Sequence, residues 1–599
     1  MRNIILRNRR INWLVIALLL FGPSMAFSDT PTVTPTPYQN ILQSEHWTEN
    51  QYNELANAAL QSIIASINEA EKLFNAVPGS IPAATGEAVD PVNGEKQQYN
   101  LFIWRRDAAI IARVLVRAYP HIKDPERKAQ IREILAKYVR SESQFLKDLE
   151  SHEAPMWSDG KVVVIKPRNG EAKRYIDGKL VKDIWGRPQN DGPAYCAKTL
   201  SIFAEELIAE GDYTTAYNLY KTLISNDLNY LAGEGLTFQD GKKNYKVAPQ
   251  YNARSYDIWE EQYGFHFATL VAIDDALVRG AHLAQQLGMP IPLEWKVAIS
   301  EIDPWIEDFR DVKEQNGDLK PVQMRKIVAT LDHDSKPYNN GRNGFDAVEY
   351  MAVLDLAHQF HNFQVTASDP LMMKTVDDFR QWFTSGEVNA TTGEFEQHFP
   401  INHQGRGSTF LGRYPNDKYF KGNVWPIATF ASARYDYETV VDASRIGHLK
   451  VMPENLEILQ RLLGANSIGL HDGMTINAAS DQFVIIASKL VENGNTTITN
   501  LANLIGINFD QKTQTFTGKL EINEQYSKYD GSPTALPNLL WSLAELYHSI
   551  QDRHQAVTVL QEIRHRLALE KEELANGHTK TSWAQWPATP VACATILNR

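Results

Sequence analysis

Apolar residues recur at three- and four-residue spacing through most of this chain, the period of a helix that buries one face. The pattern predicts helices over 107–118, 127–149, 192–210, 213–231, 259–287, 346–360, 369–383, 423–435, 454–463, 480–491 and 536–569. Alternating runs of the kind that make half-buried strands are few. Between the helices lie long stretches rich in Gly, Asn, Asp and Pro, notably 233–256 and 389–420. Loops beyond ~12–15 residues inside a compact domain are usually functional. No helix-poor region and no low-complexity linker follows Pro37, so one all-α domain over residues 41–599 is expected, large for a single unit.

The first residues read differently. Arg2, Arg7, Arg9 and Arg10 precede an apolar run from Trp13 to Phe21, and Ser24-Met25-Ala26 supplies small residues at the −3 and −1 positions of a cleavage site. That is the pattern of a secretory signal over 1–26. The run is about half of the ~20 residues that span a bilayer, so no permanent anchor is expected. A proline- and threonine-rich leader over 27–40 follows. The mature chain is expected to be secreted or periplasmic, with no membrane partner after cleavage.

Charge removes other classes. Sixty basic against 72 acidic residues give −12, which disfavours nucleic acid and anionic membranes. Cys196 and Cys593 are the only cysteines; they can form one disulfide but not a framework. The 16 histidines show no paired-ligand spacing, so neither a metal nor a cofactor is expected.

Candidate chemistry gathers in the loops. Residues 256–267 read YDIWEEQYGFHF, with Asp257, Glu260 and Glu261 set among Trp259 and several other aromatics. On a helix these carboxylates share a face and repel by a few tenths of a kcal/mol per pair. One reading is a capped helix start, with Asp257 accepting a backbone N–H and Glu260 bonding back; the other is a catalytic acid site. Three further loops, WRRDAA at 104–109, WGRPQNDGPA at 185–194 and GRYPNDKYFKGNVWP at 412–426, each set an aromatic face, an arginine and an Asp or Asn ahead of a helix. Sugars need that mixture of a ring face and fixed polar groups, although turn chemistry alone accounts for any single loop.

Together with NEQYSKYDG at 523–531, these motifs give the chain a resemblance to the glucoamylases of glycoside hydrolase family 15. They occur in the family's order and span most of the chain. The resemblance implies an all-α fold, an (α/α)6 barrel with the active site in a pocket at one end. It also implies an exo-acting, inverting hydrolase that releases β-glucose from an α-glucan, acting as a monomer. Glu260 matches the general acid and Glu524 the general base. Asp257 and Glu261 match the acid's neighbours, and Asp257 matches a position sometimes itself described as the proton acceptor in that family. Arg106, Asp107, Trp185 and Arg413 match groups that hold the terminal glucose; Trp104, Trp259 and Trp425 match pocket aromatics. Protonating a glycosidic oxygen near neutral pH needs a raised carboxyl, and apolar walls and like charges both raise one. On that reading the repulsion within the acidic stretch is part of the chemistry.

The chain departs from the family pattern in places. The tyrosine found four residues before the W-x-R-D tryptophan is Asn100 here, with Tyr99 one place off, so no tyrosine is assigned from this loop. No starch-binding module and no leading β-sandwich are expected, which favours soluble maltooligosaccharides over granular starch. Within the family an α-1,6-glucan or trehalose remains open as substrate. Retention of both glutamates argues against a non-catalytic sugar binder.

Overall fold

The computed structural model describes residues 47–575, apart from position 74 and short stretches at 234–236, 241–242, 247–248, 315–316, 333–335, 338–341, 343, 390–392, 404–408, 511–512, 514 and 517. The expected signal and leader, and the tail with Trp583, Trp586 and Cys593, lie outside the described residues.

Helices alternate between two rings. The outer set is α1 (Glu49–Leu73), α3 (Pro125–Leu149), α5 (Tyr213–Leu219) with α6 (Ser225–Ala232), α8 (Leu293–Glu307), α10 (Pro370–Thr384), and α12 (Leu456–Leu463) with α13 (Asp481–Leu504). The inner set is α2 (Arg105–Ala118), α4 (Asp191–Ala209), α7 (Phe267–Gln286), α9 (Val348–Ala352), α11 (Pro426–Ile446) and α14 (Leu540–Ala575). Each inner helix packs on the next, and α14 closes the ring on α2. This is the expected (α/α)6 barrel. Inner helices touch neighbours on nearly every side, which is why α2 and α11 are buried almost all round and rich in alanine.

The alternation has a consequence for function. Because outer and inner helices take turns, the six inner helices run parallel and all six N-termini lie at one end. Six long loops enter the ring there, and each carries one of the sequence motifs or a group that pairs with one. Helix N-termini are also the positive ends of their dipoles, so acidic first-turn residues such as Asp107 and Asp191 are favoured there.

Several expected elements move. The helix expected over 259–287 starts only at Phe267, because residues 255–266 fold as a hairpin: Ser255–Tyr256 pairs antiparallel with Tyr263 and Gly264. Asp257 caps no helix; its Oδ1 accepts the N–H groups of Glu261 and Gln262, closing the loop. The helix expected over 346–360 shrinks to α9, and beyond it Asp355 takes a positive φ of 59°. A π-helical turn, Tyr220–Ile224, joins α5 to α6 within the expected 213–231 helix. Pro426 starts α11, which runs to Ile446, well past the expected end at 435. Helices α1 and α8 were not anticipated; Pro304 inside α8 breaks its signal. The chain has N-x-T sequences at Asn389 and Asn495; Asn495 is buried in α13 and accepts from Tyr437 and Arg553, so it is closed to glycosylation in the folded chain.

Candidate active site

Glu260 sits at the tip of the hairpin in a left-handed backbone conformation, φ 67°. That conformation is strained for a residue with a Cβ and is tolerated where neighbours over-determine it. The neighbours are identifiable. The Glu260 N–H donates to the Asp257 carbonyl at 2.9 Å. Gly186 lies so close that a Cβ there would stand 2.9 Å from the Tyr256 ring and 3.0 Å from the Glu260 carbonyl. Only glycine allows that approach.

Three N–H donors fix the Glu260 carboxylate. Trp104 Nε1 and Gln189 Nε2 donate to Oε1 at 2.7 Å each, and Trp185 Nε1 donates to Oε2 at 2.9 Å. The Lys173 ammonium lies 3.0 Å from the Trp185 ring centroid and 4.7 Å from that of Trp104. Burial holds that lysine down at about 8. Gln189 also accepts from Arg106 at 3.1 Å, and Arg106 bonds Asp107 and Asp191. Burial raises Asp107 to about 6, against the pull of Arg106.

The two acidic neighbours of Glu260 are neutralised. Arg342 donates to Asp257 at 2.9 Å, to Asp346 at 2.9 Å and to Glu261 at 2.5 Å. Arg413 adds a contact to Glu261 at 2.8 Å and clasps Asp417. Burial alone would raise Asp257, but Arg342, His266 and two backbone N–H groups override it and hold it below the usual range. The expected like-charge repulsion is therefore not what this stretch presents. Two guanidiniums, one from the loop before α9 and one from the loop before α11, take up the charge.

Aromatic walls complete the pocket. Trp259 donates from Nε1 to Asp346 at 2.7 Å, and its ring lies 5.6 Å from Trp425 and 6.2 Å from Trp541. The Arg413 guanidinium stands 4.9 Å from the Trp425 ring centroid and 5.1 Å from that of Tyr419.

Glu524 enters from the loop before α14. Its N–H donates to Leu536, and the adjacent Tyr526 exchanges two backbone hydrogen bonds with Val424, which sets this loop beside Trp425. The residue is 2% exposed, and burial pushes its carboxyl up to about 8 although Arg413 opposes the rise. Tyr419 donates to it at 3.4 Å, Tyr99 bonds Tyr419 hydroxyl to hydroxyl at 3.0 Å, and the Tyr99 ring packs 4.8 Å from Trp104. An unbroken line of contacts thus runs from Glu260 through Trp104, Tyr99 and Tyr419 to Glu524.

All the residues singled out from the sequence fall in this one neighbourhood. Tyr99, left unassigned from the sequence, opens the short 3-10 turn Tyr99–Leu101, and its hydroxyl bonds that of Tyr419. Gln189 and Tyr419 lay within motifs but drew no attention. Lys173, Arg342 and Trp541 carried no sequence signal, since each stands alone in an unremarked loop or helix.

Comparison with known proteins gives the family. The family model of glycosyl hydrolases family 15 matches residues 57–551. Glucoamylase-1 of Arthroderma benhamiae is 24% identical over 84% of this chain and 69% of its own length. A glucoamylase of Saccharomycopsis fibuligera is 23% identical over 86% of this chain and 92% of its own. Among solved structures, the S. fibuligera glucoamylase superposes with a TM-score of 0.62 at 20% identity, covering 86% of this chain and 98% of that one. The Hypocrea jecorina glucoamylase gives 0.60 at 21% identity, covering 84% and 72%. With most of its length matched by the family model, the chain belongs to family 15 of the glycosyl hydrolases.

Proposed function

We propose that the protein is an exo-acting glucan 1,4-α-glucosidase that inverts configuration, releasing β-glucose from the non-reducing ends of α-1,4-glucans. The observation that carries the reading is the pair Glu260 and Glu524, held on two loops of one aromatic pocket and joined through Trp104, Tyr99 and Tyr419. Glu260 is the general acid that protonates the glycosidic oxygen. Glu524 is the general base that takes a proton from the attacking water. Burial raises the Glu524 carboxyl, which makes its ionised form the stronger base. Arg106, Asp107, Trp185 and Arg413 hold the terminal glucose, and Trp104, Trp259 and Trp425 give it faces to pack on. Asp257 and Glu261 position the acid through Arg342. The residue 1–26 segment directs export to the periplasm or beyond, and the enzyme works as a monomer.

Inversion requires β-glucose as the first product from an α-linked substrate. Proton NMR over the first seconds of maltotriose hydrolysis reads this before mutarotation; α-glucose first would mean retention and would remove the base role of Glu524. Glu260→Gln keeps the shape but not the proton, so kcat should fall by ~10²–10⁴ with KM little changed. A variant retaining more than a tenth of the activity would show that another group is the acid.

A further inference from the structure

Asp274 and Asp275 are neighbours on α7, and their surroundings could hardly differ more. Asp275 is saturated: it pairs with Lys198 at 2.7 Å and Arg279 at 3.3 Å, and accepts the Ala357 N–H at 2.7 Å. Asp274 is equally buried, 0% exposed, yet neither of its oxygens has a hydrogen-bond partner among the described residues. A buried carboxylate left in that state costs several kcal/mol unless something compensates it.

What faces it is a set of ligand atoms. Asp303 Oδ1, from α8, and His361 Nε2, from the segment after α9, are buried atoms of half-buried side chains and have no hydrogen-bond partner among the described residues. His361 Nε2 stands 3.8 Å from Asp274 Oδ2 and 3.9 Å from Asp303 Oδ1, and one ligand atom from each residue falls within 4.8 Å of the others. A cation with ~2.0–2.2 Å bonds keeps tetrahedral ligand atoms ~3.3 Å apart, so closure by about half an ångström at the imidazole and by up to about 1.5 Å between the carboxylates would seat one. The groups are well mounted. Asp274 and Asp303 stand on helices, and the segment leading to His361 is tied to α7 by the Ala357 bond and by Arg279 donating to the Asp355 carbonyl.

We propose that Asp274, Asp303 and His361 form a site for one divalent cation of the zinc class, which pins α8 and the segment after α9 to inner helix α7. Two carboxylates and one imidazole favour Zn²⁺, Co²⁺ or Mn²⁺ over Mg²⁺ and Ca²⁺, which prefer all-oxygen shells. The charge count agrees: two carboxylates face one another here, and a dication balances them. The site is structural. Asp274 lies seven residues into α7, ~10 Å along the helix axis from its N-terminus.

The test uses the full mature chain, treated with a chelator and dialysed. Calorimetric titration with ZnCl₂ should give about one site per chain, Co²⁺ should add a visible absorption band, and the melting midpoint should rise by a few degrees at saturating Zn²⁺. His361→Ala and, as the more conservative change, Asp274→Asn should each weaken binding at least tenfold and abolish the Co²⁺ band, while maltotriose hydrolysis at 25 °C stays within about twofold. Equimolar Ca²⁺ or Mg²⁺ should not compete. No saturable binding by the parent chain, or binding that both variants retain, would overturn the site; the latter would mark an adventitious surface ion only. A parent chain indifferent to metal whose Asp274→Asn variant melts higher would identify a protonated aspartate in its place.

Discussion

Glu260 carries three N–H donors, and the two carboxylates beside it are each clasped by arginine. The residue-scale question is what those arginines do for the acid. Removing Arg342 by Arg342→Gln leaves Asp257, Asp346 and part of Glu261 without their counter-charge. The unpaired carboxylates then repel one another and the hairpin tip must shift, so kcat should fall by ~10-fold or more. The same change should lower the melting midpoint, since breaking a buried pair costs ~3–5 kcal/mol. A folded variant with unaltered kcat would mean that Arg342 only braces the loop. Glu524 makes a separate prediction about stability. Its folded pKa of about 8 lies above the ordinary carboxyl value, so folding prefers the protonated form. That preference costs nothing below the unfolded pKa near ~4.3, grows as pH rises towards 8 and is constant above it. Glu524→Gln should therefore melt higher than the parent at pH 8, by an amount that vanishes towards pH 4. Equal melting curves at both pH values would place the carboxyl in water. Much of this chemistry was legible in the sequence, because the site residues come in short motifs. Arg342 and Lys173 were not, because an isolated cation in a long loop shows no local sign of the carboxylate or indole it will meet. The Asp274, Asp303 and His361 cluster was hidden for the same reason: its members lie on three elements far apart in the chain.

The hairpin at 255–266 is where the helical period misled. Its apolar residues have helix-like spacing, but aromatic residues also favour strands, and tertiary partners decide. Thr330 and Leu331 pair with His266 and Phe265 on one side, and the loop with Trp185 packs on the other through Gly186. That packing is testable at one atom. Gly186→Ala puts a methyl 2.9 Å from the Tyr256 ring and 3.0 Å from the Glu260 carbonyl, too close for either to stay. Neither neighbour is a flexible side-chain end, so the loop or the hairpin tip must shift by tenths of an ångström. Small displacements of a catalytic group are costly, so kcat should fall by ~10-fold or more while the far-UV circular dichroism stays unchanged. Unaltered kcat would mean that the tip yields without moving the carboxylate. The helices themselves were legible wherever an apolar face repeats undisturbed. They were misjudged where Pro304 interrupts the pattern of α8, and where α9 stops short of Asp355, whose carboxylate answers to distant arginines.

Those arginines hold the barrel together at the scale of the whole ring. Arg434 of α11 is 1% exposed and binds Asp355 after α9, Glu545 and Asp552 of α14. Arg117 of α2 reaches Asp355 and Asp552 as well, and Arg113 reaches Asp355. Four of the six inner helices, or the segments that leave them, thus share one buried charge network. It lies beyond the first turns of α2, α11 and α14, below the pocket formed by the entering loops. Loops at the N-terminal end carry the proposed catalytic pair, and the network deeper in the ring ties together the helices that carry those loops. Asp355 shows the pH consequence. Burial alone would raise it, but Arg434, Arg117 and Arg113 hold it well below the ordinary value. A lowered carboxyl contributes stability that is present above the unfolded pKa and is lost as pH falls towards the folded one. Acid unfolding should therefore draw on this network only below pH ~4. Arg434→Met strands Glu545 and leaves Asp355 and Asp552 to Arg117 and Arg113, at a cost of ~3–5 kcal/mol. The variant should melt several degrees lower near neutral pH and recover part of the difference in mild acid, where its stranded carboxyl protonates. Below its melting range it should hydrolyse maltotriose with kcat within a few-fold of the parent, because no group of the network touches Glu260 or Glu524. A kcat reduced a hundredfold in a variant that is still folded would show that the network also sets the geometry of the pocket, and the separation of the two ends would fail.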